Sequence, residues 1–145
     1  MMGAERWRDN WRAVSPPGAV RVTLEGTHAS RRAMTGLVRD LPAGSPVVVS
    51  ASAPGAGRRC RAFAARAGVE LERQYLALPS AAAPAYLVED APAPVEVLVK
   101  TVLAAPPGTR LSTPIGAALS VVRALSPWRL MRVLAPGRLV VGRRT

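Results

Sequence analysis

Residues 47–68, "VVVSASAPGAGRRCRAFAARAG", decide the fold, because they predict a buried strand, a glycine-containing turn and a helix in immediate succession. Three consecutive valines favour a strand that is covered on both faces, as in a parallel sheet. After the turn, apolar residues recur at the i, i+3, i+4, i+7 spacing of one helical face, and Gly68 stands where such a helix would end. The apolar residues of that face are Cys60, Phe63, Ala64 and Ala67.

The neighbouring segments extend this strand–helix pattern in both directions. Residues 20–26, "VRVTLEG", alternate apolar and polar side chains and predict a strand. Residues 27–41 predict a helix, with Thr27 or Ser30 as its N-cap, and residues 69–78, "VELERQYLAL", predict a third strand. Strands that alternate with helices through short loops predict an α/β sheet, mostly parallel and flanked by helices. The apolar face of the 27–41 helix consists of Ala33, Met34, Leu37, Val38 and Leu41.

The ends of the chain differ from this regular core. Residues 1–19 contain tryptophans at helical spacing before "SPPG" and predict a short N-terminal arm. The domain itself is expected to span residues 20–145, with a short strand in "AYLVED" and a helical insertion at about 91–135. The closing segment, "GRLVVGRR" at 137–144, predicts a last strand.

Composition indicates one folded domain with an excess of positive charge. The 145 residues are 49% hydrophobic, and 20 basic residues against 9 acidic ones give a formal net charge of +11. Such a charge attracts nucleic acid, anionic lipid or an acidic partner. All basic residues except Lys100 are arginines, and they are spread along the chain rather than gathered in one arm. Because the basic residues do not form one cluster in the sequence, nucleic-acid binding is kept only as an alternative function.

Residue counts also limit the chemistry and the location. A single cysteine, Cys60, and a single histidine, His28, exclude an internal disulfide and any cysteine- or histidine-rich metal site, so no metal is expected. No segment approaches the ~20 apolar residues that span a bilayer, and the N-terminus lacks a secretory pattern. We expect a cytoplasmic protein. Peripheral association with an anionic membrane stays open through the basic, apolar segment 126–138.

The glycine turn raises the question of a nucleotide-phosphate loop. The dinucleotide pattern G-x-G-x-x-G needs three glycines, and here Gly55 and Gly57 are followed by Cys60 at the third position. The sequence therefore favours a plain strand-to-helix connection. Because Arg58 and Arg59 stand beside the expected helix N-terminus, these two arginines and the two glycines remain a candidate anion-binding site.

One pair of residues is a candidate for acid–base chemistry. His28 has the only side chain whose ordinary pKa suits a general base near neutral pH, and Glu25 could orient it. The alternative is a histidine in a surface loop without a catalytic role.

Residues 27–52, "THASRRAMTGLVRDLPAGSPVVVSAS", resemble the middle of class I S-adenosylmethionine-dependent methyltransferases. In that family the fourth strand ends in a loop that often carries a histidine, followed by a helix, an L-x-P-G-G turn and the fifth strand. His28 and "DLPAGSP" match the loop and the turn. Residues 58–80 are similar to the next helix and the sixth strand, and 134–144 to the antiparallel seventh strand that hairpins back beside the sixth.

The resemblance, which covers residues 20–144, implies a partial Rossmann-like sheet with an antiparallel last strand. The family's glycine-rich cofactor loop and its ribose-binding acid have no counterpart, since only about twenty residues precede the first matching strand. The chain is similar to a C-terminal half that lacks the N-terminal cofactor-binding half.

The resemblance implies a methyltransferase-like protein without independent catalysis, acting as a partner or scaffold subunit. It binds S-adenosylmethionine only if a second chain or a homodimer completes it, and no cofactor is expected for the isolated chain. Whether it is an enzyme stays open. The alternative is a basic protein that binds nucleic acid or an anionic membrane.

Overall fold

The computed structural model describes residues 10–101 and 127–145, and within these ranges a five-stranded sheet carries four α-helices. No helix in these two ranges is both long enough and apolar enough to cross a bilayer. The strands are β1 Val20–Thr23, β2 Pro46–Ser52, β3 Val69–Leu78, β4 Tyr86–Glu89 and β5 Gly137–Arg144. The helices are α1 His28–Arg39, α2 Ala56–Ala67, α3 Pro92–Thr101 and α4 Pro127–Leu134, and a 3₁₀ turn covers Asn10–Ala13.

The sheet is mixed, with the strand order β1-β2-β5-β3-β4. Only the pair β1–β2 is parallel, whereas β5 runs antiparallel to both β2 and β3, and β4 runs antiparallel to β3. The prediction of a mostly parallel sheet is therefore wrong, although the α/β class and the antiparallel last strand are confirmed. The physical reason is the position of β5. Strands β1, β2 and β3 do share one direction, but β5 enters between β2 and β3 and replaces their parallel pairing.

The two faces of the sheet are covered by different elements. Val47, Val48 and Val49 are each 0% exposed, which confirms that β2 is buried on both faces. Val47 and Val49 pack in the core cluster that includes α1 and α2, while Leu76 of β3 packs in a second cluster with α3 and α4. On the opposite face, Val48 packs in a cluster that includes Trp11 of the N-terminal turn. All four described helices thus lie on the face of the sheet that carries the side chains of Val47, Val49 and Leu76.

The ends of the first two helices follow the sequence signals. The Thr27 hydroxyl accepts a hydrogen bond of 3.3 Å from the Ser30 backbone N–H, so Thr27 is the N-cap of α1. Gly68 ends α2 in the left-handed conformation, with φ 67°, and its N–H donates to the Ala64 carbonyl.

The buried stripe of α1 is narrower than the sequence predicts. Val38 is buried and Met34 and Leu41 are partly buried, but Ala33 is exposed and Leu37 is 68% exposed. The reason is position: α1 follows the four-residue edge strand β1 and packs mainly against α2, so the sheet does not cover its outer side.

The N-terminal arm and the helical insertion are described in part. The side-chain amide of Asn10 donates to the Pro84 carbonyl at 2.9 Å, which ties the 3₁₀ turn to the loop before β4. Helices α3 and α4 lie within the expected 91–135 insertion. Residues 102–126 of the expected insertion and residues 1–9 of the arm lie outside the described residues.

Candidate functional site

The turn between β2 and α2 positions the start of α2 without a side-chain cap. Gly55 is the N-cap, in the left-handed conformation with φ 69°, and no side chain caps the helix there. The N–H of Arg59 is the first to donate back to Gly55, at 3.0 Å. The preceding N–H groups have no acceptor within the helix, so this end of α2 carries partial positive charge.

A cavity of about 630 Å³ opens beside this turn. Three elements contribute arginines to its wall, and no acidic side chain is among the described residues that line it. The indole of Trp128 forms part of the same wall. The arginines are Arg58 and Arg61 from α2, Arg129 and Arg132 from α4, and Arg138 from β5.

Asp90 fixes the inner wall of this cavity. Its Oδ2 forms an ion pair with the Arg138 guanidinium and lies 3.2 Å from Nε of Arg132, while its Oδ1 accepts a hydrogen bond of 2.8 Å from Trp128 Nε1. The side chains of Asp90 and Arg138 are each only 4% exposed. One buried carboxylate therefore holds two guanidinium groups and one indole, and the cavity keeps an excess of positive charge.

A second concavity, a groove of about 1260 Å³, lies between α1 and α2. It shares Gly55 and Arg58 with the cavity, so the two form one continuous surface, which we call the arginine surface. His28 lies in its wall, and no acidic side chain is among its described lining residues. The arginines of the groove are Arg31, Arg32, Arg39, Arg58, Arg59 and Arg66.

Two arginines of the groove have incomplete hydrogen bonding. The Nε atoms of Arg31 and Arg59 are buried and have no hydrogen-bond partner among the described residues. A buried donor without a partner costs about 1–3 kcal/mol. Arg59 also donates through Nη2 to the Ser52 carbonyl, which holds its side chain against the end of β2.

The structure brings the predicted anion-site residues together. Gly55, Gly57 and Arg58 line the cavity, and Arg59 lines the adjoining groove. Sequence reasoning missed Arg61 and the residues of the C-terminal segment that complete the cavity. One signal was present: Arg138 directly precedes the apolar run Leu139, Val140 and Val141, and a charged residue beside such a run is typical of a paired or functional group.

His28 and Glu25, the predicted acid–base pair, have different surroundings, and of these two residues only His28 is among the described residues that line the groove. His28 is the exposed first residue of α1. Glu25 accepts a hydrogen bond of 2.5 Å from the Ser52 backbone N–H, and within the described part of the chain no hydrogen bond joins it to His28. Their catalytic roles stay predictions.

No protein-family model, no curated protein and no solved structure matches this chain. In residues 10–101 and 127–145, no group of three or more His, Cys, Asp or Glu side chains is arranged to hold a metal ion.

Proposed function

We propose that this protein binds nucleic acid through the arginine surface. The observation that carries the proposal is the composition of two adjacent helices: α1 and α2, both fully described, hold seven arginines and no acidic residue. These arginines are Arg31, Arg32, Arg39, Arg58, Arg59, Arg61 and Arg66. Residues that are spread along the sequence thus gather on one surface, and the positive charge there is not neutralised by carboxylates of the same helices.

The dimensions of the groove favour a polymer over a single small anion. Each of the two helices has 12 residues. A helix of that length extends for roughly 18 Å. Successive phosphates of one strand are about 3.4 Å apart along a duplex axis, so such a groove spans about five of them. Guanidinium groups bind phosphate oxygens through two parallel hydrogen bonds, which suits them to this contact.

Fluorescence anisotropy with a labelled oligonucleotide, single-stranded or duplex, tests the proposal. The groove variant Arg32→Gln/Arg66→Gln removes two exposed charges from the arginine surface. We expect its affinity to fall about tenfold, equivalent to about 1.4 kcal/mol.

The control Lys100→Gln/Arg143→Gln removes the same charge from elsewhere. Lys100 and Arg143 form exposed ion pairs with Glu96 and Glu72, which contribute about 0–1 kcal/mol each. We expect the control to bind nearly as tightly as the natural sequence. Equal losses in both variants would show that net charge alone causes binding and would contradict the proposal.

A second proposal is that the chain is a methyltransferase-like subunit completed by another chain. It is supported by the common direction of β1, β2 and β3 and by the antiparallel β5 beside β3. Among the described strands β1 forms an edge of the sheet, and Val20 in it is 39% exposed. Such an edge is able to pair with a further strand.

Calorimetry with S-adenosylmethionine, combined with light scattering on the same sample, tests this second proposal. We expect no binding to the isolated monomer, and binding only when a dimer or a partner chain completes the sheet. Saturable binding to a monomer would contradict it, since the cofactor-binding half would then not be missing. If neither a dimer nor a complex with a partner chain binds S-adenosylmethionine, the protein has no role in cofactor binding and only the scaffold role of this proposal remains.

A further inference from the structure

The cavity beside the glycine turn differs from the groove in two ways: its arginines are more closely spaced, and two of them are held in fixed positions. Five arginines surround about 630 Å³, whereas six line the groove of about 1260 Å³. Two of these arginines, Arg132 and Arg138, form ion pairs with Asp90, whose side chain is 4% exposed. The cavity therefore suits a ligand that is smaller and more highly charged than a phosphodiester backbone.

The guanidinium groups on the inner wall are held in place before any ligand binds. Arg138 pairs with Asp90 and donates through Nη2 to the Arg132 carbonyl at 2.8 Å. The Arg132 guanidinium in turn lies 5.0 Å from the centre of the Trp128 ring. Ordering a free arginine side chain on binding costs about 0.5–1.5 kcal/mol. Two preordered arginines avoid much of this cost, as a specific anion site requires.

We infer that this cavity binds a phosphate monoester, the terminal phosphate of a nucleic-acid strand whose backbone lies in the groove; the inference rests on the proposed function. A phosphodiester carries one negative charge, whereas a monoester carries about 1.5 to 2 at pH 7 and presents three acceptor oxygens. Gly55 and Arg58 line both concavities, so a strand that follows the groove reaches the cavity with its end.

Gly57 provides an independent structural test of the same site. A Cβ added there would lie 3.4 Å from Nε of Arg138 and 3.5 Å from Nη1 of Arg61, which is ordinary packing distance. A methyl group at Gly57 therefore fits without a clash, yet it occupies space between the two guanidinium groups. Because alanine favours a helix over glycine, Gly57→Ala is expected to keep or raise stability while it obstructs the anion.

Competition binding with three oligonucleotides of one sequence tests the inference: one with a 5′-phosphate, one with a 3′-phosphate and one with hydroxyl groups at both ends. We expect one phosphorylated form to bind at least about fivefold tighter than the hydroxyl form, a gain of about 1 kcal/mol. The preference should disappear in the cavity variant Arg61→Gln/Arg129→Gln and in Gly57→Ala, with thermal unfolding as the check on folding. It should persist in Arg32→Gln/Arg66→Gln, although overall affinity falls.

The outcomes separate this inference from the proposed function. Equal binding of all three oligonucleotides, with the groove variant still weakened, overturns the monoester site and leaves nucleic-acid binding intact. No binding of any oligonucleotide overturns both. Vesicles that contain phosphatidic acid, compared with phosphatidylserine vesicles of equal charge, probe the other source of a monoester. Preference for phosphatidic acid without a preference for phosphorylated ends would assign the cavity to a lipid headgroup and overturn the inference.

Discussion

Asp90 Oδ1 accepts a hydrogen bond of 2.8 Å from Nε1 of Trp128, across 38 positions of the chain. The same carboxylate forms an ion pair with Arg138, so it connects the segment after β4 to both α4 and β5. The cavity of the arginine surface exists because this one carboxylate fixes three side chains from two later elements.

Loss of that carboxylate should destabilise the fold. Asp90→Ala leaves the Arg138 guanidinium buried without its counter-charge, which is expected to cost about 3–5 kcal/mol in the free energy of unfolding. The measurement is urea denaturation. Glu96→Gln, which removes the exposed partner of Lys100, is the control and should cost less than about 0.5 kcal/mol. A loss of similar size in both variants would show that the buried pair has no special weight.

The buried thiol of Cys60 should make the folded protein lose stability at alkaline pH. Burial raises the pKa of its thiol from 9.0 to about 12, with nearby arginines opposing the rise. Because the folded-state pKa lies above the ordinary value, the neutral thiol contributes stability fully below about pH 9, and this contribution is lost as pH rises towards 12. Unfolding experiments between these pH values should show a steeper loss of stability for the natural sequence than for Cys60→Ala. Parallel pH profiles for the two proteins would contradict this account of Cys60.

Gly142 should not tolerate a side chain, whereas Gly36 should. A Cβ at Gly142 would lie 2.3 Å from the Glu70 carbonyl oxygen of the adjacent strand β3, where backbone must move. We expect Gly142→Ala to cost at least about 1–3 kcal/mol or to prevent folding. A Cβ at Gly36 in α1 meets nothing within 4 Å, so Gly36→Ala should stabilise the helix by about 0.5–1 kcal/mol. Thermal unfolding should show a lower melting temperature for Gly142→Ala and a higher one for Gly36→Ala. Stabilisation by Gly142→Ala would mean that β5 and β3 do not pair in this register.

The exposure of Leu37 and the burial of Val38 give opposite expectations on neighbouring positions of α1. Val38→Ala should cost about 1.5–3 kcal/mol, since it removes a fully buried side chain. Leu37→Gln should change the free energy of unfolding by no more than about 0.5 kcal/mol. The comparison is made by urea denaturation. A large loss of stability in Leu37→Gln would indicate that Leu37 belongs to a buried apolar face, as the sequence predicts. That result would contradict the observed packing of α1.

The local elements were predictable because their signals lie within a few residues. The three valines of β2, the N-cap at Thr27 and the helix end at Gly68 each follow from side chains next to one another in the sequence. The grouping of Gly55, Gly57, Arg58 and Arg59 around one turn was predictable for the same reason. The pattern of strands and helices also gave the common direction of β1, β2 and β3.

The resemblance implied that β5 runs antiparallel beside β3, but the insertion of β5 between β2 and β3 was not predictable from such patterns. A buried apolar strand fits a sheet interior in either direction, and which neighbours it takes depends on contacts far away in the sequence. The cavity depends on the same long-range event, because insertion of β5 between β2 and β3 brings Arg138 to the glycine turn. The gathering of the arginines likewise needed the packing of α1 on α2.

The dependence of binding on salt tests nucleic-acid recognition by the arginine surface most directly. If about five phosphates of one strand of a DNA duplex contact the groove, the logarithm of the binding constant should fall with the logarithm of salt concentration with a slope of about −4.5. In Arg32→Gln/Arg66→Gln the slope should become shallower by about 1.8, whereas in Lys100→Gln/Arg143→Gln it should not change. A slope that is the same in all three proteins, or binding that does not weaken with salt, would contradict the account.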